Sequence, residues 1–379
     1  MDVTNTALVN LRHELHRHPE VSGKEYKTSA SIMKFMERCK PDEAIRLGDA
    51  GLAFVFRGSE GGSSVVYRAE LDALPITETG NSEYKSKVAG TSHACGHDGH
   101  MAILAGLGLK IADNKPQKGT AILLFQPAEE TGQGAKAIME DPDFRALQAE
   151  RIFALHNLPG FPAGEVLIRD GVFAAASSGM VVTLKGKTSH AGEPEKGINP
   201  DRAISKLIEG IHLINAEFAE FTDLAFATIV HIVLGERAFG TSPGHGEVCL
   251  TIRAYNDRDH DQLRERLEKL ATQVSREENL KHEIIYTEVF PATKNSVECT
   301  TLIQEAAESK GLSVRILNEP FRWTEDFGYY TQEIGGGFFG LGAGTDRPAL
   351  HHPDYDFPDE LIDTGTSLFF ALYQFNHLT

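Results

Sequence analysis

Over most of its length the chain alternates short β-rich runs with helical stretches, and this alternation limits the folds open to it. Apolar residues recur at helical spacing between residues 5 and 40, and residues 100–112 are apolar enough for a buried helix. The β-rich runs are 52–56, 64–71, 120–126 and 151–155. Strands that alternate with helices predict an α/β sheet with mainly parallel strands, whose ligand site lies beyond the carboxyl ends of the strands.

Residues 178–291 show a different order of strand and helix patterns. These patterns follow the order β-α-β-β-α-β, which is typical of a ferredoxin-like α+β unit. At 379 residues the chain is also longer than one hydrophobic core usually supports. We therefore predict a first domain formed by residues 1–177 and 292–379, interrupted by an inserted domain of residues 178–291.

The charge balance and the cysteine content exclude several classes of protein. The formal net charge of −17 argues against nucleic acid or an anionic membrane as the main partner, because both attract clustered Lys and Arg. The N-terminus shows no secretory signal, and no apolar run approaches the roughly 20 residues of a membrane-spanning helix. Four scattered cysteines do not suggest a disulfide framework. These features predict a cytoplasmic protein.

The segment 93–100 carries most of the chemical information. It reads His-Ala-Cys-Gly-His-Asp-Gly-His, so Cys95 and His97 stand two residues apart around a glycine. Thiolate and imidazole are ligands of divalent transition metals. Two other interpretations stay open for Cys95: a buried structural cysteine, or a nucleophile with His97 as its base. Metal ligation is favoured because it also gives the other motifs a role.

Adjacent carboxylates follow the strand pattern that ends at residue 126. Beside a metal, Glu129 and Glu130 divide into one oxygen ligand and one free base for a water molecule. His156 and the pair His351-His352 also stand at strand or loop ends, and each alone is more often structural than a ligand. Together with the donors of the first motif, these side chains form a set large enough for two metal ions.

Asp72 precedes Pro75 in the run Glu-Leu-Asp-Ala-Leu-Pro of residues 70–75. It either orients a ligand histidine or is an ordinary turn residue, and the sequence alone does not decide between the two.

In combination and in this order, the motifs resemble the aminoacylase/carboxypeptidase family of dinuclear metallohydrolases. The nearest branch contains hippurate hydrolases, auxin-conjugate (indoleacetyl-amino acid) hydrolases and N-acetyl-diaminopimelate deacetylases. The matching segments are 15–20, 70–75, 93–100, 126–130, 155–157, 186–191, 325–327 and 350–357. The resemblance implies a zinc-exopeptidase-like catalytic domain with a central mixed sheet and flanking helices, and an inserted ferredoxin-like lid domain used for dimerisation.

The resemblance also implies roles for individual residues. The implied metal ligands are Cys95, His97, Glu130, His156 and His351, with Cys95 bridging the two ions. Glu129 is implied as the general base and later the proton donor, and His190 as the lid histidine that polarises the scissile carbonyl, often across a dimer. Asp72 and Asp98 are expected to support the site, and Arg253 to adjoin the amino-acid half of the substrate.

The resemblance therefore implies a metal-dependent amidohydrolase that cleaves N-acyl amino acids. The expected cofactors are two divalent transition metal ions, zinc or manganese first, with cobalt or nickel as alternatives. The expected assembly is a homodimer, or a dimer of dimers, through the lid domain. A dipeptidase or aminopeptidase on the same scaffold and a catalytically silent metal-binding protein stay open as alternatives.

The lid departs from the pattern of its relatives at two places. Glu195 stands where the branch often has a second histidine, and residues 240–243 read Gly-Thr-Ser-Pro where relatives commonly show Asn-x-Ile-Pro. The acyl group and the amino acid of the substrate are therefore left open by the sequence.

Overall fold

The computed structural model describes residues 3–378 and divides the chain into two compact units. Unit 1 comprises residues up to Phe173, residues 293–320 and residues from Glu325 onward, and unit 2 comprises residues 174–292 and 321–324. The predicted domain limits were 178 and 291, and the sequence indicated no part for residues 321–324 in the second unit. These residues join unit 2 because Phe321 pairs with Ala174 and accepts a hydrogen bond from Ala175.

The helices in chain order are α1 (Val3–Arg17), α2 (Tyr26–Met36), α3 (His97–Asp113), α4 (Gly134–Glu140), α5 (Pro142–Ala146), α6 (Asp201–Ala216), α7 (Asp257–Glu277), α8 (Val297–Ser309), α9 (Gly328–Thr331) and α10 (Leu361–His377). The strands are β1 (Glu43–Leu47), β2 (Gly51–Arg57), β3 (Glu60–Glu70), β4 (Lys118–Gln126), β5 (Ala149–Pro159), β6 (Val166–Ile168), β7 (Gly171–Ala174), β8 (Ala176–Lys185), β9 (Ser189–His190), β10 (Ala225–Leu234), β11 (Thr241–Ser242), β12 (His245–Ala254), β13 (Lys281–Phe290), β14 (Thr293–Asn295), β15 (Val314–Ile316) and β16 (Gly335–Gly344).

Unit 1 is built on an eight-stranded sheet in the order β1-β2-β4-β3-β5-β16-β6-β15. Strands β4, β3, β5 and β16 are parallel to their neighbours in this central part, whereas β1, β2 and β6 add antiparallel pairings. The prediction of an α/β fold with a central mixed sheet and flanking helices is confirmed. Buried side chains of β4, α3 and α10, such as Leu123, Leu104 and Phe369, belong to one hydrophobic core.

The parallel centre of the sheet sets the place of the functional side chains. Strand β3 ends at Glu70, two residues before Asp72, and β4 ends at Gln126, directly before the segment that carries Glu129 and Glu130. His156 lies in the last part of β5, opposite Gly340 of β16. These carboxyl ends meet at one edge of the sheet, which is where ligands bind in open α/β sheets.

Unit 2 contains a four-stranded antiparallel sheet in the order β10-β12-β8-β13. The elements follow one another as β8, α6, β10, β12, α7 and β13, which is the β-α-β-β-α-β order. Apolar residues of α6 and α7, including Leu207 and Leu267, share a core with Val182 and Leu250 of the sheet. Strands β10 and β13 form the two edges of this sheet.

Within residues 3–378, none of the helices combines the length and the apolar character that crossing a bilayer requires.

Candidate metal centre

The donor side chains come from four segments that are far apart in the chain. His97 is the first residue of α3, Cys95 lies two residues before it, and Gly96 between them has φ +93°. A Cβ at position 96 would lie 2.4 Å from Oδ1 of Asn157, so only glycine lets this turn approach β5 so closely. The close approach brings Cys95 next to His156, with 3.4 Å between Sγ and Nε2.

The carboxylates after β4 complete the cluster. Nε2 of His97 lies 3.9 Å from Oε1 of Glu130 and 4.0 Å from Oε2 of Glu129. Nε2 of His351 lies 3.7 Å from Oε2 of Glu130. Two donor groups share the thiol: Cys95 with His97 and His156, and Cys95 with Glu130 and His351, each with ligand atoms within 4.8 Å of one another.

Hydrogen bonds orient the two buried histidines toward the cluster. Nδ1 of His97 lies 2.9 Å from the carbonyl oxygen of Asp72 and 3.4 Å from its carboxylate, and Nδ1 of His156 lies 2.8 Å from the carbonyl oxygen of Asn157. The remaining nitrogen of each ring, Nε2, faces the other donors. Outer partners of this kind fix the ring of a metal-binding histidine.

Nε2 of His97 and Oε1 of Glu130 are buried in the cluster without a hydrogen-bond partner. An unpaired buried polar atom is costly unless another group coordinates it. Sulfur, nitrogen and oxygen donors together suit zinc or a similar transition metal better than calcium or magnesium. The residues therefore fit a dinuclear transition-metal centre.

The pKa values of three cluster residues also fit bound cations. Burial, followed by Glu325 and Glu130, raises the pKa of Glu129 well above its usual range, and burial raises the pKa of Glu130 to about 7. Burial and the neighbouring carboxylates, Glu130 first, also raise the pKa of the Cys95 thiol well above its ordinary value. Divalent cations would oppose all three shifts, because they favour the thiolate and the carboxylates.

The raised pKa of Cys95 also bears on the nucleophile interpretation. A catalytic cysteine needs a lowered pKa from a cation, an imidazolium or a helix N-terminus. Cys95 instead has Glu130 and Glu129 as its main charged neighbours, and both raise its pKa. The structure therefore favours Cys95 as a ligand.

Sequence reasoning gave no role to Glu325, although segment 325–327 was among the matching motifs. Its Oε1 lies 3.6 Å from Nε2 of His156, and its Oε2 is buried without a hydrogen-bond partner. Arg68 is 3.5 Å away, while burial raises the pKa of Glu325 to about 8. Glu325 is thus a further carboxylate at the cluster.

The next residue, Asp326, donates its backbone N–H to Glu129 across 3.4 Å.

The other polar residues of segment 93–100 have different surroundings. Both ring nitrogens of His100 are engaged, with Glu70 at 2.7 Å and with the backbone N–H of Asn157 at 3.2 Å. These contacts hold His100 between Glu70 and β5, and Glu70, His97 and His100 form a further group of possible metal donors. Asp98, expected to support the site, pairs with Arg12 at 3.2 Å and with His16 at 2.8 Å.

Asp72 accepts two hydrogen bonds in addition to its contacts with His97. It is fully buried, and its Oδ2 accepts hydrogen bonds from the hydroxyl of Ser22 at 2.7 Å and from the backbone N–H of Glu130 at 2.9 Å. Burial raises the pKa of Asp72, but the hydrogen bond and charge of His97, followed by these two bonds, lower it below its usual value. Asp72 thus joins a ligand histidine to the loop after β4, which is more than a turn residue does.

Two of the predicted site residues belong to unit 2. His190 lies on β9 and is exposed, and its Nδ1 accepts a hydrogen bond from the backbone N–H of Gly192 at 3.0 Å. Nε2 therefore carries the proton and can donate it to a ligand. Arg253 donates from Nη1 to the carbonyl oxygen of Arg322 at 2.5 Å, and it lines a small cavity together with Phe226 and Tyr255.

Comparisons with known proteins identify a matching family and similar enzymes. The model of peptidase family M20/M25/M40 matches residues 66–374. N-acetylcysteine deacetylase of Bacillus subtilis (strain 168) is 30% identical over 375 residues, which cover 97% of this chain and 96% of that protein. N-acetyldiaminopimelate deacetylase of Geobacillus sp. (strain WCH70) is 31% identical over 362 residues, 95% of each chain.

Among solved structures, a dinuclear metal-binding peptidase of the M20 family from Bacillus subtilis has a TM-score of 0.83 and 27% identity, with 98% of each chain covered. The family match spans most of the chain, and both deacetylases align over nearly their whole length. The chain therefore belongs to peptidase family M20/M25/M40, and it is a metal-dependent hydrolase of amide bonds.

Proposed function

We propose that this protein hydrolyses the amide bond of N-acyl amino acids and releases a carboxylic acid and a free amino acid. The observation that carries the proposal is the cluster of Cys95, His97, His156 and Glu130 with a second carboxylate, Glu129, directly beside it. The named activities of the relatives, N-acetylcysteine deacetylase and N-acetyldiaminopimelate deacetylase, support the substrate class.

Five residues would hold two divalent cations: Cys95, His97, Glu130, His156 and His351. Cys95 is common to two of the donor groups, which supports a bridging thiolate. When bound, such cations lower the pKa of a water molecule toward neutrality and polarise the amide carbonyl. The donor types favour zinc or manganese, with cobalt or nickel as alternatives.

Glu129 would accept the proton of the attacking water at its carboxylate and return it to the leaving nitrogen. Its burial and its acidic neighbours stabilise the protonated carboxyl, which suits a group that acts first as a base and then as an acid. His190 would donate from Nε2 to the developing oxyanion, because Gly192 already occupies its Nδ1. Arg253 would adjoin the amino-acid half of the substrate.

The test is the Glu129→Gln variant. We expect turnover of N-acetyl amino acids to fall by at least about 100-fold, which is typical for the loss of a general base, while the metal content per chain is unchanged. Glu37→Gln, an exposed carboxylate on the surface of unit 1, is the matched control and should behave like the wild type. Full turnover by a Glu129→Gln protein with both metals bound would overturn the assignment.

A peptidase on the same scaffold is the second candidate, and it is favoured by the solved structure that is described as a dinuclear metal-binding peptidase. The two candidates differ in the group that they accept on the carbonyl side of the scissile bond. A peptidase must accept a charged α-amino group next to the scissile bond, whereas an N-acyl amino acid presents a neutral acyl chain. Comparing kcat/KM for N-acetyl amino acids and for free dipeptides separates them.

We also propose a homodimer formed through unit 2, in a reducing cytoplasm. The exposed apolar side chains Val230, Ile232 and Leu234 lie on β10, an edge strand whose backbone can pair with another chain. Val230→Lys should shift the molar mass in light scattering toward the monomer. A wild-type protein that is monomeric at micromolar concentration would contradict this part of the proposal.

A further inference from the structure

The loop between β4 and α4 holds a backbone conformation that its own sequence does not favour. Ala128 has φ +54°, in the left-handed region, where a Cβ is unfavourable. It directly precedes Glu129, so its φ and ψ determine the direction in which the carboxylate of Glu129 points. Contacts with other residues must therefore stabilise this conformation.

The carbonyl side of Ala128 is held within the loop. Its oxygen accepts hydrogen bonds from the backbone N–H of Gln133 at 3.2 Å and of Gly134 at 2.9 Å. The amide side is held from a different part of the chain, because the N–H of Ala128 donates to Oε1 of Glu25 across 2.7 Å. Both ends of the strained residue are therefore fixed.

Glu25 stands directly before α2 and is fully buried. Its Oε1 also accepts the N–H of Gly23 at 3.0 Å, and its Oε2 has no hydrogen-bond partner. A buried carboxylate with an unpaired oxygen is unfavourable on its own. Its use for holding the backbone of a catalytic loop gives a reason for its presence.

The bond from Glu25 has a counterpart on the other side of Glu129. The backbone N–H of Glu130 donates to Oδ2 of Asp72 at 2.9 Å. The amides of residues 128 and 130 thus each bind a buried carboxylate, with Glu129 between them. Both acceptors are buried and belong to segments outside the loop, so this pair of bonds restrains the backbone on both sides of the base.

We propose that Glu25 is a positioning residue for the general base: by binding the amide of Ala128 it holds that residue in the left-handed conformation that aims Glu129 at the substrate. This inference rests on the proposed function of Glu129. Glu25 does not touch the reacting atoms, and its effect is on kcat through the population of the productive loop conformation.

The matched control is Glu20, a carboxylate of the same N-terminal segment. Its Oε2 accepts the backbone N–H groups of Lys27 and Thr28, each at 2.8 Å, and so it stabilises the first turn of α2. It makes no contact with the loop of residues 127–134 among the hydrogen bonds of the described residues. Glu20→Ala therefore reports the effect of weakening α2 alone.

The experiment compares Glu25→Ala, Glu25→Gln and Glu20→Ala in the metal-loaded enzyme with an N-acetyl amino acid. We expect Glu25→Ala to lower kcat by about 10- to 100-fold, with KM within threefold and the metal content unchanged. Glu25→Gln keeps an oxygen acceptor and should recover most of kcat. Glu20→Ala should lower the melting temperature while kcat stays within about twofold.

A second variant tests the backbone argument. Glycine adopts positive φ without the Cβ penalty, so Glu25→Ala/Ala128→Gly should raise kcat about fivefold over Glu25→Ala. Hydrogen exchange of a peptide covering residues 126–134 gives a readout that does not need activity. We expect faster exchange in Glu25→Ala than in the wild type or in Glu20→Ala.

The inference is overturned if Glu25→Ala and Glu20→Ala show the same kcat, or if glycine at position 128 restores nothing. It is also overturned if exchange in residues 126–134 is unchanged by Glu25→Ala. An active Glu129→Gln enzyme would instead overturn the proposed function, and the exchange rates would still report whether Glu25 holds the loop.

Discussion

Replacing Gly134 with alanine should disable the enzyme without touching any side chain of the site. Gly134 begins α4, and a Cβ there would lie 1.7 Å from the carbonyl oxygen of Pro127, where real Cβ atoms essentially never come closer than 3.0 Å. The start of α4 and Pro127 must therefore separate by about 1.3 Å, the difference between those two distances. Both are backbone, so the shift falls on the loop between them, which carries Glu129 and Glu130.

A displacement of about 1 Å at catalytic groups is enough to lower turnover by roughly 100-fold. We expect that loss in kcat for N-acetyl amino acids, with weaker metal retention because Glu130 moves, and a loss of about 1–3 kcal/mol in the free energy of unfolding from overpacking. Steady-state kinetics, metal analysis and urea denaturation measure the three effects. Gly61→Ala is the control, because a Cβ at that exposed position meets nothing within 4 Å. A Gly134→Ala enzyme with kcat within threefold of the wild type would refute the reasoning.

Three further perturbations have expected outcomes. Arg68→Met should destabilise the metal-free protein by about 3–5 kcal/mol in urea denaturation, because it leaves Glu70 and Asp326 buried without their cation, and a loss below 1 kcal/mol would contradict this. Burial lowers the pKa of His260 to about 4, so its contribution to stability is complete above pH 6.5 and is lost as the pH falls toward 4. His260→Gln should therefore flatten the fall in melting temperature between pH 6.5 and 4, and parallel curves for the two proteins would argue against it. Chelation should abolish turnover and lower the melting temperature, with recovery on adding zinc or manganese, and indifference to chelators would contradict a metal centre.

The candidate donors could be proposed from the sequence because they are concentrated in short motifs. Cys95 and His97 share one turn, and Glu129 and Glu130 are adjacent, so the pattern is visible without a structure. Glu325 has no such local signature. Only the folded chain brings its Oε1 to 3.6 Å from Nε2 of His156, which lies on β5.

The sequence also predicted most of the elements but not how distant segments combine. The helix predicted at residues 100–112 is α3, which begins three residues earlier, at His97. Residues 321–324 were given no place in the second domain, because their pairing with Ala174 joins segments that are far apart and leaves no periodic pattern. Local propensity predicts elements, whereas such long-range pairings depend on packing.

The strand order of unit 1 has a consequence for how the protein is made. Strand β16 lies between β5 and β6 in the sheet, yet it is synthesised after all of residues 174–292. Until residue 344 leaves the ribosome, β5 has no neighbour on that side and presents unpaired N–H and C=O groups. Open apolar edges of this kind are where nascent chains associate wrongly. We therefore expect truncated chains that end before residue 335 to aggregate or to bind chaperones, and the donor set to be complete only once residue 351 has been made.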